Sequence, residues 1–357
     1  MSRFFSQKYN KLVPYVPGEQ PKNMKYIKLN TNESPFSPSP LSQKYANDAA
    51  KDLQLYSDPE CRELVNKASE YFGIEKDEIL FTNGSDEILN FAFAAFCDDE
   101  TPAVFPNITY GFYPVFARIN NVPYEEIKLN EDFTVNVEDF IGINKTIFIA
   151  NPNAPTGIVL PLSDIERIVK SNPDNVVVID EAYVDFGSES AVRLIKKYNN
   201  LLVTQTFSKS RSMAGARLGY GLGCKELIQD LNTIKYSTNP YNINRMTMAA
   251  GIGAFEDNDY FKDNCQTIID NRLWTSQELK KLDFTVLDSS ANFVFAKHKS
   301  YDGKDLYLKL KKKGILVRHF DNELIKDFNR ITIGNIEQMQ TLIDTLKEIL
   351  EEKNENS

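Results

Sequence analysis

Short apolar runs alternate with amphipathic stretches through the first two thirds of the chain. The runs at residues 79–81, 101–105, 146–150, 176–179 and 201–206 have the length and branched or aromatic content of buried strands. Between and around them, residues 64–71, 87–96 and 162–170 repeat apolar side chains at helical spacing. Strands this apolar need cover on both faces, so the pattern predicts an α/β fold: a mainly parallel central sheet with helices on both faces. Ahead of it, the segment to about Leu41 is rich in Pro, Asn and Ser and reads as an extended arm. After Tyr241 the helical pattern lengthens, and a stripe through Ile268, Ile269, Leu273 and Leu279 predicts a long helix bridging two domains. Strands at 285–287, 292–296, 315–317 and 330–333 then alternate with helices over 306–312 and 337–350, a smaller α+β domain, and the charged tail 351–357 is expected to fray. The expected division is an arm over 1–44 that joins the small domain, a large domain over 45–265 and a small domain over 266–357. No internal repeat is visible.

A chain of 357 residues with 42% hydrophobic and 25% charged positions can bury a large core in this two-part form. The formal net charge of -9 speaks against nucleic acid or an anionic membrane surface as the main partner, because both are bound through clustered cations. A phosphorylated small molecule would need a local basic pocket instead. The first eighteen residues mix Arg3, Lys8 and Lys11 with prolines and lack the apolar stretch of a signal peptide, and no later run is long and apolar enough to span a bilayer. Cys61, Cys97, Cys224 and Cys265 form no C-x-x-C pair, which fits a reducing cytoplasm. His298 and His319 are the two histidines and stand apart, so no metal site and no histidine-based triad is expected. The chemistry has to come from other groups.

Three segments supply candidates. Val176-Val-Val-Ile-Asp-Glu-Ala-Tyr183 sets Asp180 directly after a buried strand, at the carboxyl end where open α/β sheets bind ligands. Taken alone, an Asp ending a strand is as often a turn residue. Leu201-Leu-Val-Thr-Gln-Thr-Phe-Ser-Lys209 delivers a lysine to the same end, followed by a loop of hydroxyls and glycines with Arg217. By itself such a lysine is more often solvated surface. Phe81-Thr-Asn-Gly-Ser-Asp-Glu87 turns from strand to helix, where free amides and the helix dipole can cradle a phosphate, or where Ser85 or Asp86 simply caps the helix. A phosphate cradle, a lysine and a buried acid together describe pyridoxal phosphate: the lysine carries the cofactor, the acid keeps its ring nitrogen protonated and the cradle holds its phosphate.

These segments, with Asn151-Pro-Asn-Ala-Pro-Thr-Gly157, resemble the class I/II aminotransferases of pyridoxal-phosphate fold type I over nearly the whole chain. Tyr15-Val-Pro-Gly18, Leu29-Asn-Thr-Asn-Glu-Ser-Pro35, Gly84-Ser-Asp-Glu87, Pro240-Tyr-Asn242 and Gly314-Ile-Leu-Val-Arg318 are most similar to the histidinol-phosphate aminotransferase family. The resemblance implies Lys209, Asp180 and Tyr183 as the catalytic set, with Tyr183 bonding the ring hydroxyl and Tyr110 stacking on the ring. It implies Ser85, Asp86, Thr206, Ser208 and Arg217 around the phosphate, joined by Tyr56 from a neighbouring subunit, hence a homodimer with shared sites. Arg330 would hold a substrate carboxylate, Arg318 and Tyr15 a distal phosphate, and Asn292 would line the pocket. The family has Asn immediately before Pro-Thr-Gly where this chain has Ala154, with Asn153 one residue earlier; whether Asn153 takes over the ring hydroxyl or Tyr183 acts alone stays open. The implied reaction moves an amino group between histidinol phosphate and 2-oxoglutarate. An aromatic amino-acid aminotransferase, a threonine-phosphate decarboxylase-like lyase and a non-catalytic pyridoxal-phosphate-binding protein are the alternatives.

Overall fold

The computed structural model describes residues 2–10, 12–22 and 24–355. In chain order, β1 (Ile27–Lys28) is followed by α1 (Pro40–Ala49), α2 (Arg62–Phe72), β2 (Ile79–Thr82), α3 (Ser85–Phe96), β3 (Ala103–Pro106), α4 (Tyr113–Ile119), β4 (Tyr124–Ile127), β5 (Thr146–Ala150), α5 (Leu162–Ser171), β6 (Val177–Asp180), β7 (Leu201–Thr206) and β8 (Gly219–Gly223). Seven of these strands form one sheet in the order β2-β8-β7-β6-β5-β3-β4. It is parallel except at β8, which runs antiparallel to both of its neighbours. All five apolar runs expected to be strands are strands, shifted by a residue or two at their ends. Alternate side chains feed two apolar layers: Ile149, Ile179, Val203 and Phe81 on one face, Phe148, Val178, Leu202 and Leu80 on the other.

The antiparallel return of β8 decides where the chemistry can lie. The loop between β7 and β8 leaves and re-enters the sheet at one edge, so Lys209 and Arg217 share that edge. Because β2 and β6 run parallel to β7, their carboxyl ends, carrying Gly84 and Asp180, point the same way.

The rest of the chain comprises α6 (Lys225–Thr238), α7 (Arg245–Glu256), α8 (Asn258–Lys281), β9 (Phe284–Val286), β10 (Phe293–His298), α9 (Gly303–Lys312), β11 (Ile315–Leu316), β12 (Arg318–His319), β13 (Asn329–Thr332) and α10 (Ile336–Glu355). A four-stranded sheet runs β12-β13-β10-β9, and β1 pairs in parallel with β11. Its core is a separate apolar cluster around Phe293, Leu306, Ile331, Leu342 and Leu346.

Three expectations are corrected. The opening segment is not extended through Leu41: Pro40 starts α1, and Ser39 caps it by accepting from the Ser42 amide at 3.1 Å. The stripe on α8 keeps Ile268 and Leu279 but not Leu273, which is 54% exposed, while Arg272 and Thr275 face inward. Arg272 can be buried because its Nη1 donates to the carbonyls of Phe186 (2.8 Å) and Ala291 (2.6 Å). The long bridging helix expected after Tyr241 is α8, which runs across residues 265 and 266. Finally, residues 351–355 continue α10 instead of fraying, and Asn356 and Ser357 lie outside the described residues.

Candidate active site

Where the four strand ends converge, a cavity of about 200 Å³ is lined by Ser85, Asp86, Tyr110, Ala154, Asp180, Tyr183, Thr206, Ser208, Lys209 and Arg217, with Thr31 and Glu33 from the arm. A second cavity of about 400 Å³ shares Thr31, Tyr110, Ala154, Tyr183 and Lys209 with it and continues outward to Tyr15, Phe320, Arg318 and Arg330. The two form one continuous site. A roomier groove of about 650 Å³ between α2 and α6 has Glu60 and Asp77 as its carboxylates, both exposed, and brings no buried acid beside its Lys235, so size alone does not mark the chemistry.

At the floor, Asp180 is buried and accepts from the Tyr113 hydroxyl at 3.1 Å and from Thr204 Oγ1 at 3.4 Å. Burial pushes its carboxyl up to about 6 against those two bonds, which favours a cation placed beside it. Lys209 Nζ donates to the Thr31 carbonyl at 3.2 Å, and burial, helped by the nearby Arg330 cation, brings its ammonium down to about 8. An amine that gives up its proton this readily can act as nucleophile and base near neutral pH.

At the amino end of α3 the backbone opens toward the cavity. Gly84 has φ +82°, and a Cβ there would stand 2.5 Å from Arg217 Nη2. Gly219 is equally constrained, since its Cβ would meet the Ser85 amide at 2.2 Å. These two glycines let β8 and Arg217 close on the helix terminus. Around it, Thr206 Oγ1 donates to Ser208 Oγ at 3.0 Å, Arg217 reaches Ser208 Oγ at 3.4 Å and Asp86 at 3.2 Å, and the Tyr110 hydroxyl donates to Asp86 at 2.7 Å. Hydroxyls, a guanidinium and helix-end amides make an anion cradle. A lysine, a buried acid and this cradle, set around one cavity, fit pyridoxal phosphate.

Farther out, Arg330 lies over the rings of Phe293 (5.3 Å) and Phe320 (5.6 Å) and donates to the Asn30 carbonyl at 3.1 Å, while its buried Nε has no partner among the described residues. Arg318, paired with Arg330 across β12 and β13, is half-buried, lies 5.5 Å from the same Phe320 ring and holds the arm through the carbonyls of Val16 (3.0 Å) and Pro17 (3.2 Å). Tyr15, stacked on Phe112 at 4.1 Å, closes that end.

Three expected residues do not line either cavity. Asn153 is tied to the loop after β3 and to its own loop, donating to the Ile108 carbonyl (2.9 Å) and Thr156 (3.1 Å) and accepting from Thr109 (2.9 Å), so Ala154 forms the wall there. Asn292 donates to the Asn32 carbonyl at 3.0 Å and braces the arm. Tyr56 is 79% exposed and stacks on Tyr241 at 4.6 Å. Conversely, Tyr113 and Asn32 touch Asp180 and Tyr183 and were not anticipated. Asn32 falls in the segment 29–35 that carries the family resemblance, but nothing local points from it to Tyr183, 151 positions away.

Fold and site together define a pyridoxal-phosphate protein of fold type I. The chain belongs to the aminotransferase class I and II family, whose model matches residues 24–346. It is 50% identical over 352 residues to the histidinol-phosphate aminotransferase of Brachyspira hyodysenteriae, covering 98% of this chain and 99% of that one. Among solved structures, the histidinol-phosphate aminotransferase of Clostridium acetobutylicum superposes with a TM-score of 0.84 at 26% identity, covering 90% of this chain and 98% of that one. That of Sinorhizobium meliloti, in complex with pyridoxal-5'-phosphate, gives a TM-score of 0.85 at 23% identity, covering 92% of each chain.

Proposed function

We propose that this protein transfers the amino group of histidinol phosphate to 2-oxoglutarate, giving imidazole-acetol phosphate and glutamate. The observation that carries the reading is the pair of arginines flanking Phe320 beyond Lys209, in a cavity with aromatic walls. Glutamate and 2-oxoglutarate bring two carboxylates, whereas histidinol phosphate brings a phosphate and an aromatic ring. Two cations around an aromatic floor suit both, and half-identity to the Brachyspira enzyme over the whole chain supports the same pairing.

Each side chain then has a physical task. When bound, the cofactor supplies an electron sink for the pair left on the donor's α-carbon. Lys209 would anchor the cofactor through Nζ and would be the base that takes and returns the α-carbon proton. Asp180 holds a proton on the ring nitrogen, Tyr183 donates to the ring oxygen and Tyr110 stacks on the ring face. Ser85, Asp86, Thr206, Ser208 and Arg217 take the cofactor phosphate, the hydroxyls and the guanidinium as donors. Arg330 clamps the carboxylate next to the reacting carbon. Arg318, with Tyr15, holds the distal phosphate or carboxylate. In a homodimer, Tyr56 of one subunit would complete the phosphate site of the other, consistent with its exposure beside exposed Leu53, Leu55 and Tyr241. No helix among the described residues is long and apolar enough to cross a membrane, and the four cysteines are free, in keeping with a reducing cytoplasm.

Replacing Arg318 by Ala tests the substrate assignment. A charge-assisted bond is worth about 1.5–3 kcal/mol, and Arg318 is only half-buried, so kcat/KM for histidinol phosphate should fall roughly tenfold to a hundredfold. For an unphosphorylated aromatic donor it should change far less. Equal losses on both donors would mean that Arg318 serves the arm it already holds and not the phosphate.

A further inference from the structure

With Ala154 offering no polar side-chain atom and Asn153 committed to Ile108, Thr109 and Thr156, the direction of the Tyr183 hydroxyl becomes decisive, and its partner is Asn32. Asn32 is buried and held on every side. Its Nδ2 donates to the Tyr183 oxygen at 2.9 Å, its Oδ1 accepts from Thr332 Oγ1 at 3.0 Å, and its backbone amide donates to the same Thr332 oxygen at 3.0 Å. The double contact with Thr332 fixes which way the side-chain amide faces. Thr332 Oγ1 accepts the Asn32 backbone proton and donates its own to Oδ1, and Nδ2 is left for Tyr183. A phenol that accepts from an amide keeps its single O–H free to donate elsewhere, and Tyr183 lines the cavity.

We propose that Asn32 is a positioning residue that locks the Tyr183 hydroxyl as a donor into the cavity, aimed at the cofactor's ring oxygen. This rests on the cofactor reading given above. The backbone supports it: Asn32 has φ +55°, a conformation that Asn and Asp tolerate better than other side chains, and the Asn30, Thr31 and Asn32 carbonyls take bonds from Arg330, Lys209 and Asn292. Charged groups facing Tyr183 are Arg330 from β13, Asp180 from β6, Asp86 from α3 and Lys209 from the β7–β8 loop.

The discriminating variant is Asn32→Asp, which keeps the shape, the backbone and the Thr332 contact but can only accept, so it draws the Tyr183 proton away from the cavity. A donor on the ring oxygen draws off negative charge and weakens that oxygen's hold on the proton it shares with the Lys209 nitrogen. Turning the donor away moves the pH midpoint of the bound cofactor's visible absorbance upward, by about one unit or tenfold in proton affinity. The unaltered protein, Asn32→Asp, Tyr183→Phe and the double variant are titrated in this way, and cofactor dissociation constants are measured on the apoproteins. Expected are upward shifts in both single variants, with most of the Asn32→Asp shift lost in the Tyr183→Phe background. Thr332→Val, which frees the amide to turn over, should give a smaller shift in the same direction, also lost without the Tyr183 hydroxyl, and covers the case in which Asn32→Asp fails to fold. An unmoved midpoint in Asn32→Asp, or the same shift in both backgrounds because the new charge acts directly, overturns the proposal. An unmoved midpoint in Tyr183→Phe overturns it too while leaving amino transfer intact; no cofactor absorbance in the unaltered protein overturns the cofactor reading along with it.

Discussion

Asp180 and Lys209 are both pushed toward their neutral forms by burial, the acid up to about 6 and the amine down to about 8. An amine that must shed its proton needs the second shift, whereas a ring nitrogen that must stay protonated needs Asp180 as the carboxylate, the form that a cation set beside the buried acid restores. Glu181, next along the chain, is carried up to about 7 by burial although Ser190, the Ala191 amide and Gln205 all bond it. Both carboxyls keep their protons to higher pH in the folded chain than in the unfolded one, so the stability tied to them is complete below about pH 4 and is lost as pH rises through about 6 and 7. The apoprotein should therefore melt at progressively lower temperature between about pH 5 and 7.5, and Asp180→Asn should flatten part of that slope. A melting temperature that climbs across the interval in the unaltered apoprotein would contradict the assignment. Lys209, Asp180 and Arg217 were legible in sequence because each follows a recognisable strand. Tyr113 and Asn32 were not, because a hydrogen bond across the fold leaves no local pattern.

At the level of elements, the anion cradle depends on how closely β8 and Arg217 approach the start of α3, which the missing Cβ atoms of Gly84 and Gly219 permit. Gly84→Ala strains a positive φ and drives a methyl group into the Arg217 guanidinium. Apoprotein carrying this change should bind pyridoxal phosphate at least about tenfold more weakly, while its weaker affinity for unphosphorylated pyridoxal stays nearly constant. Equal losses for both ligands would place the phosphate elsewhere. The strands with continuous apolar runs, β5 to β7, could be read directly from sequence. The two that were missed in the seven-stranded sheet lack that signature: β4 carries Glu125 and Glu126 at the sheet edge, and β8 spends three of its five positions on glycine. Since β8 is the antiparallel strand, missing it concealed why Lys209 and Arg217 meet.

Across the whole molecule, the arm ties the two sheets to the site: β1 pairs with β11, and residues 30–32 give their carbonyls to Arg330, Lys209 and Asn292. The composition of the arm suggested an extended segment without saying where it lies, because that is settled by partners about 300 positions away. Tyr56 faces outward on the same chain, and a shared site predicts complementation. Mixing Tyr56→Ala subunits with Lys209→Ala subunits should yield heterodimers with one intact and one doubly altered site, recovering up to about a quarter of full activity when subunits pair at random. Verified heterodimers without recovery would show that each chain completes its own site. The account as a whole is tested most directly by mixing the purified, pyridoxal-phosphate-loaded protein with histidinol phosphate alone and following the cofactor's visible absorbance and the keto product in a single half-reaction. The expected result is rapid bleaching with one equivalent of imidazole-acetol phosphate per site, reversed by 2-oxoglutarate with release of glutamate. Bleaching by aromatic amino acids but not by histidinol phosphate, or no bleaching by any donor, would contradict it.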